Sequence, residues 1–173
     1  MTTKKNKIGI LGGSFDPAHK GHLAISKEAI KRLDLKKIVW AITKKNPFKK
    51  KSKVSVMNRI NYCKKIIGNN SLIKVKFYED IIKSNKTINL INYVSKNKGN
   101  EIYFLMGADN LINFHKWHKW KSISQKCNII VFDRHGFKRK SLNSMTFKRL
   151  NNKKLQFINF NKVNISSSQL RKI

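Results

Sequence analysis

Two patterns of apolar residues alternate along the 173-residue chain. Short apolar runs suited to buried strands occur near 7–11 (KIGIL), 37–43 (KIVWAIT), 72–77 (LIKVKF), 101–106 (EIYFLM), 128–133 (NIIVFD) and 155–160 (LQFINF). Between them apolar positions recur at helical spacing, which predicts helices near 20–33, 55–67, 87–97, 110–125 and 167–172. The second of these places Val56, Met57, Ile60, Cys63 and Ile67 on one face. Strand and helix in alternation predict an α/β fold, an open parallel sheet with helices on both faces, and a single domain over 1–173. Residues 44–53 (KKNPFKKKSK) read as a basic loop and 134–154 as a longer basic connection. In such a sheet ligands bind outside the carboxyl ends of the strands, which directs attention to 12–22, 43–50, 107–118 and 134–136.

Composition narrows the classes. Thirty-nine Lys and Arg against eight Asp and Glu give a formal charge of +31, which by itself suggests nucleic acid or an anionic membrane surface. Only six of the basic residues are Arg, however, and Arg is the residue that base-edge and bidentate phosphate recognition favours. Lys accompanies abundant Asn and Ile, all with A/T-rich codons, so drift in base composition accounts for much of the charge and no specific nucleic-acid partner is expected. No apolar run reaches the roughly 18 residues of a membrane helix. MTTKKNK passes into IGIL without a signal-peptide core, so a cytoplasmic protein with no membrane partner is expected. Cys63 and Cys127 match neither a disulfide framework nor a CxxC metal site and read as buried thiols.

The chemistry concentrates after the first strand, in GGSFDPAHKGH from Gly12 to His22. Two glycines there allow a tight turn and close backbone approach, and the helix that follows turns its free N–H groups toward an anion. The segment is neither the P-loop nor the GxGxxG fingerprint. His19 and His22 stand three apart at the helix start, so both imidazoles can face one phosphate cradle. Taken alone they also read as two solvated surface histidines, or as part of a zinc site whose third ligand is missing.

GGSFDPAHKGH resembles the (T/H)xGH signature of the nucleotidyltransferase superfamily, and ISSSQLRK (Ile165 to Lys172) resembles its second signature, ISSTxIR. MGADNLINFHKWHKW (Met106 to Trp120), Asp133–Arg134–His135–Gly136 and VWAITKKNPFK (Val39 to Lys49) are similar to segments of the bacterial nicotinate-nucleotide adenylyltransferases. The resemblance implies a Rossmann-like nucleotidyltransferase fold and transfer of the adenylyl group of ATP to nicotinate mononucleotide. The products are nicotinate adenine dinucleotide and pyrophosphate, in NAD synthesis, with Mg²⁺ carried mainly on the ATP phosphates and no dedicated metal ligands in the protein. It implies catalytic roles for His19, His22 and Arg171. ATP contacts are implied for Gly12, Gly13, Ser14, Phe15, His19, His22, Gly107, Asp109, Ile165, Ser166, Ser167 and Arg171. Contacts to the mononucleotide are implied for Asn46, Lys49, Thr87, Trp117, His118 and Arg134. Asp109 reads on its own as the N-cap of the helix from Asn110 onward. Trp120 reads as packing beside a Trp117 that stacks on the flat nicotinate ring. The substrate carboxylate needs donors, which backbone N–H groups near Thr87 and His118 would supply.

Pantetheine-phosphate adenylyltransferase shares the two outer signatures and is the alternative, but it would not be expected to carry GADNLxxFxxW. A non-catalytic nucleic-acid-binding protein is a more distant one, since it leaves both signatures without a purpose. The chain departs from the family pattern at NKTINLI (Asn85 to Ile91), NPFK, Arg134–His135–Gly136 and His118, all on the mononucleotide side. The sequence leaves the oligomeric state open.

Overall fold

The computed structural model describes residues 5–150 and 154–160. Strands β1 (Asn6–Gly13), β2 (Lys37–Ile42), β3 (Ile73–Lys76), β4 (Asn100–Gly107), β5 (Asn128–Phe132) and β6 (Leu155–Ile158) form one sheet in the order β3-β2-β1-β4-β5-β6. Every pairing is parallel. Helices α1 (Lys20–Leu33) and α2 (Val56–Ile67) follow the first two strands, and α3 (Glu79–Ile82) and α4 (Thr87–Ser95) follow β3. Helices α5 (Ala108–Asn113) and α6 (Trp120–Lys126) lie between β4 and β5, and α7 (Lys138–Leu142) and α8 (Met145–Leu150) between β5 and β6. The chain leaves β1 toward β2 on one side and later returns beside β1 as β4. The carboxyl ends of β1 and β4 therefore frame the crevice where the strand order reverses, which is where an open α/β sheet receives its ligand.

Two apolar layers explain the continuous apolar runs. On one face Leu11, Ile38, Trp40, Leu105 and Phe132 of the sheet pack with Ala29 and Leu33 of α1 and Cys63 and Ile67 of α2. On the other Ile8, Ile10, Phe104, Met106 and Val131 pack with Ile88 and Ile91 of α4, Leu111 of α5 and Ile123 of α6. A strand covered on both sides loses the polar alternate positions that mark a half-exposed one. Cys63 and Cys127 are free and buried, and burial pushes each thiol up to about 12, which keeps both protonated and unreactive. No helix among the described residues is long and apolar enough to cross a membrane.

The structure corrects the sequence reading at several points. The predicted helix 110–125 is broken: α5 ends at Asn113, a 3-10 turn covers Phe114–Lys116, Trp117 is extended and Lys119 is left-handed (φ 51°) before α6 begins. Phe114, Trp117 and Trp120 recur every three residues, a spacing that a 3-10 turn satisfies as well as an α-helix does. The connection 134–154 carries α7 and α8, and α3 was not predicted. On α2, Met57 points to solvent (63% exposed) while Arg59 is buried (3%), so the buried face is rotated toward the residue with charge to satisfy. The predicted helix 167–172 lies outside the described residues.

Candidate active site

Strand β1 runs through Gly12 and Gly13, so these glycines are extended and not the turn itself. The left-handed position falls one step past Ser14, on Phe15 (φ 48°). What the glycines provide is a bare backbone at the cavity wall: Gly12 and Gly13 border both cavities described below. Phe15 holds its strained backbone because its ring is buried and stacked on Trp40 (centroids 5.0 Å apart, planes 13° apart). That leaves the Phe15 side chain as a support beneath the cradle.

His19 is the N-cap of α1. Its Nδ1 accepts from the Gly21 N–H (3.1 Å), and the His22 Nδ1 accepts from the His19 N–H (3.2 Å), a reciprocal capping box made of two imidazoles. Because each Nδ1 accepts, each neutral ring carries its proton on Nε2 and presents a donor to the cradle. The rings lie 3.8 Å apart between centroids. His22 also lies 4.8 Å from Phe15, and its carbonyl receives the Ser26 hydroxyl, which in turn receives the Trp40 indole N–H (2.8 Å each). One side of α1 is thereby fixed to β2.

Burial, then Arg134 and Lys49, lower the His19 pKa from 6.5 to about 4, and burial, then His19, Lys49 and Arg134, take His22 well below 6.5. Both rings are neutral donors at neutral pH. Between about pH 4 and 6.5 the unfolded chain binds more protons at these positions than the folded one, so stability falls as pH drops through that window and is flat above it. Urea midpoints at pH 7.5, 6 and 5 check this: the His19→Asn, His22→Asn double variant should lose a clear part of the slope, and an unchanged slope would refute the assignment.

Asp109 does not cap α5; Gly107 does, and Asp109 sits one residue inside the first turn. Its Oδ2 takes a hydrogen bond from Arg134 Nη1 at 2.5 Å, whereas Oδ1 is buried and has no partner among the described residues. A buried carboxylate oxygen without a donor is costly unless a ligand supplies one. A Cβ on Gly107 would come within 2.5 Å of that Oδ1, so glycine at the end of β4 is what allows the carboxylate its place.

These residues border a polar cavity of about 120 Å³ containing Gly12, Gly13, Ser14, Phe15, His19, His22, Lys49, Gly107, Asp109 and Arg134. Beside it is a larger cavity, of about 370 Å³, with apolar walls from Tyr78, Leu90, Phe104 and Trp117 and with Thr87, Lys116 and His118 at its edge. Gly12, Gly13, Asn46 and Asn110 border both, so the two cavities are adjacent. Trp117 is held nearly perpendicular to Phe104 (6.0 Å, 84°) and edge-on to Phe114 (5.1 Å, 65°), while Trp120 packs on Phe114 (6.2 Å) as expected. Asn46 Oδ1 accepts from the Phe48 N–H (2.9 Å), a local turn in the loop, and Asn46 lines both cavities. Lys49 and Arg134, grouped with the mononucleotide contacts from sequence, stand in the phosphate-sized cavity with the histidines. Ile165, Ser166, Ser167 and Arg171 lie outside the described residues. Sequence reasoning passed over Thr43, Glu79, Asn110 and Lys116, all on the larger cavity, because they sit in loops and short helices without a periodic pattern.

A parallel sheet in the order 3-2-1-4-5-6, with a histidine-capped helix opening on the crevice, is a doubly wound nucleotide-binding fold. The cytidylyltransferase-like family model matches residues 10–173, and the chain belongs to that family and within it to the nicotinate-nucleotide adenylyltransferases. It is 68% identical over 173 residues, all of this chain and 96% of the relative, to a Pelagibacter ubique protein named "Probable nicotinate-nucleotide adenylyltransferase". It is 37% identical over 131 residues to an Agrobacterium fabrum protein of the same name, covering 75% of this chain and 70% of that one. The Plasmodium falciparum nicotinic acid mononucleotide adenylyltransferase complexed with NaAD shares the fold, with a TM-score of 0.79 at 24% identity over 96% of this chain and 83% of that chain.

Proposed function

We propose that the two adjacent cavities are the two halves of one adenylyl-transfer site, the small one for phosphates and the large one for the pyridine end of the acceptor. The protein is an adenylyltransferase of NAD synthesis: it transfers the adenylyl group of ATP to nicotinate mononucleotide, giving nicotinate adenine dinucleotide and pyrophosphate. The observation that carries the division of the site is the paired histidine cap, with two neutral Nε2–H donors beside Lys49 and Arg134 in a cavity that shares four lining residues with an aromatic-walled one.

The chemistry asks for no general base. The mononucleotide phosphate is already an anion, and it attacks the α-phosphorus of ATP as pyrophosphate leaves. The site has to hold two polyanions in line and stabilise charge as it spreads over the α-phosphate oxygens. His19 and His22 supply donors that are fixed before substrate arrives, Lys49 and Arg134 supply positive charge, and the Asp109 Oδ1 supplies an acceptor for a ligand hydroxyl or amine. Arg171 with Ser166 and Ser167 is assigned to the ATP phosphates by the second signature. Trp117 offers an aromatic surface to the nicotinate ring, and the first N–H groups of α4 at Thr87 face its carboxylate.

The described residues hold no group of three or more His, Cys, Asp or Glu that could bind a metal, and Asp109 is already engaged by Arg134. They do not fit a protein cage for Mg²⁺, so we assign the ion to the ATP phosphates as part of the substrate. ATP and the mononucleotide are cytoplasmic metabolites, and the reaction is assigned there.

Incubation with ATP, Mg²⁺ and in turn nicotinate mononucleotide, nicotinamide mononucleotide and phosphopantetheine, following pyrophosphate release, tests this reading. Turnover should be fastest with nicotinate mononucleotide. Turnover with phosphopantetheine alone would overturn the assignment.

A further inference from the structure

Arg59 is the most deeply buried cation among the described residues, 3% exposed, on a helix that faces no substrate cavity. Its guanidinium donates to three backbone carbonyls: Nη1 to Ser14 (2.6 Å) and to Thr43 (2.8 Å), and Nε to Val54 (3.2 Å). Burial pulls its pKa down, and Asp16, then Cys63 and Glu79, act in the opposite direction. A buried guanidinium is expensive to desolvate, so its retention here calls for a reason beyond packing.

The three carbonyls supply that reason. Ser14 belongs to the phosphate cradle, whereas Thr43 and Val54 are the two ends of the basic loop 44–53. That loop carries Asn46, which borders both cavities, and Lys49, which faces the histidines. Glu79 of α3 completes the fastening at the near end, accepting from the Thr43 hydroxyl and from the Lys44 N–H (3.2 Å). A strand end, a cradle and a loop of mostly exposed residues thus share one fixed point.

We propose that Arg59 is a positioning residue for adenylyl transfer, holding the loop 44–53 at both ends against the phosphate cradle so that Lys49 and Asn46 stand at the junction of the two cavities. It acts through Ser14, Thr43 and Val54 and touches no substrate. The kinetic part rests on the reading of the site above; the fastening of the loop does not. Lysine in its place keeps the charge but cannot reach three carbonyls with a planar fork.

The test uses Arg59→Lys, with Glu79→Gln as a second variant that loosens the same loop end from outside the core. Trypsin should cut at the loop lysines about 10-fold faster in Arg59→Lys while circular dichroism and the remaining cleavage pattern stay those of the parent, because local opening is drawn from the least stable segments. In the same preparation kcat should fall about 10-fold or more and KM for nicotinate mononucleotide should rise more than KM for ATP, since misplacement of a positioned group costs rate. Glu79→Gln should move both readouts in the same direction by less. Unchanged loop cleavage in folded Arg59→Lys would overturn the proposal. So would a loss of activity that only tracks the folded fraction, with both KM values unchanged. If the parent enzyme does not turn over nicotinate mononucleotide, the functional reading fails, and the proteolysis result still decides whether Arg59 fastens the loop.

Discussion

Replacing His22 with alanine should lower kcat by about 100-fold to 1,000-fold, the range found when one preorganised donor to a developing anion is removed. His22 lines the smaller cavity, its Nδ1 is occupied by the His19 N–H so that Nε2 carries the proton, and its ring is held by Phe15 and Trp40. The donor therefore needs no reorganisation when charge shifts onto the α-phosphate. KM for both substrates should change little, since a contact that tightens only in the transition state contributes to kcat and not to ground-state binding. Alanine also leaves the His19 N–H without its cap, which costs about 1 kcal/mol of helix stability. Thermal unfolding of the variant separates that cost from the kinetic one, and a kcat within about twofold of the parent enzyme would remove His22 from the chemistry.

The second large effect belongs to Trp117. Trp117→Ala should raise KM for nicotinate mononucleotide by about 10-fold to 100-fold, corresponding to the roughly 1–3 kcal/mol that stacking of a base on an aromatic ring contributes. KM for ATP should move far less, because the ring lines the larger cavity and not the histidine cavity. The edge-on contacts with Phe104 and Phe114 are lost as well, so some loss of stability accompanies the change. Steady-state kinetics with each substrate varied in turn check it. A proportional rise in both KM values would mean that Trp117 shapes the fold and does not stack on the nicotinate ring.

The position of charge matters more in this protein than its amount. The +31 formal charge is spread over the whole chain, yet a few cations have assigned neighbours: Lys49 and Arg134 against the paired imidazoles, and Arg59 beneath the cradle. Fixed positive groups at a polyanion site raise encounter rates and hold phosphates in line, whereas exposed lysines elsewhere are screened by salt within about 8 Å.

Much of the architecture is determined by the chain locally. The four inner strands are nearly continuous apolar runs because both faces are covered, and the edge strands β3 (IKVK) and β6 (LQFI) alternate apolar with polar residues, so all six were legible, as was α1 to its bounds at Lys20 and Leu33. The same holds for the cluster Gly12 to His22, because the chemistry of a phosphate cradle needs neighbouring residues at fixed short spacings. Trp117 and Trp120 show where that logic ends: a spacing of three fits several backbone shapes, and only packing around Phe114 chose the bend that separates the two rings. Asp109 shows the same limit, since its pairing with Arg134 joins the ends of β4 and β5 and no local pattern encodes it. Arg59 is the fullest case. A lone arginine near an apolar helical stripe reads as solvent-facing, and it is buried because the fold brings the carbonyls of Ser14, Thr43 and Val54 to one point. Sequence by itself determined the strands, the cradle and the residue types that chemistry demands at short range. Tertiary structure decided which distant groups meet, because burial and long-range hydrogen bonds depend on the whole chain being in place.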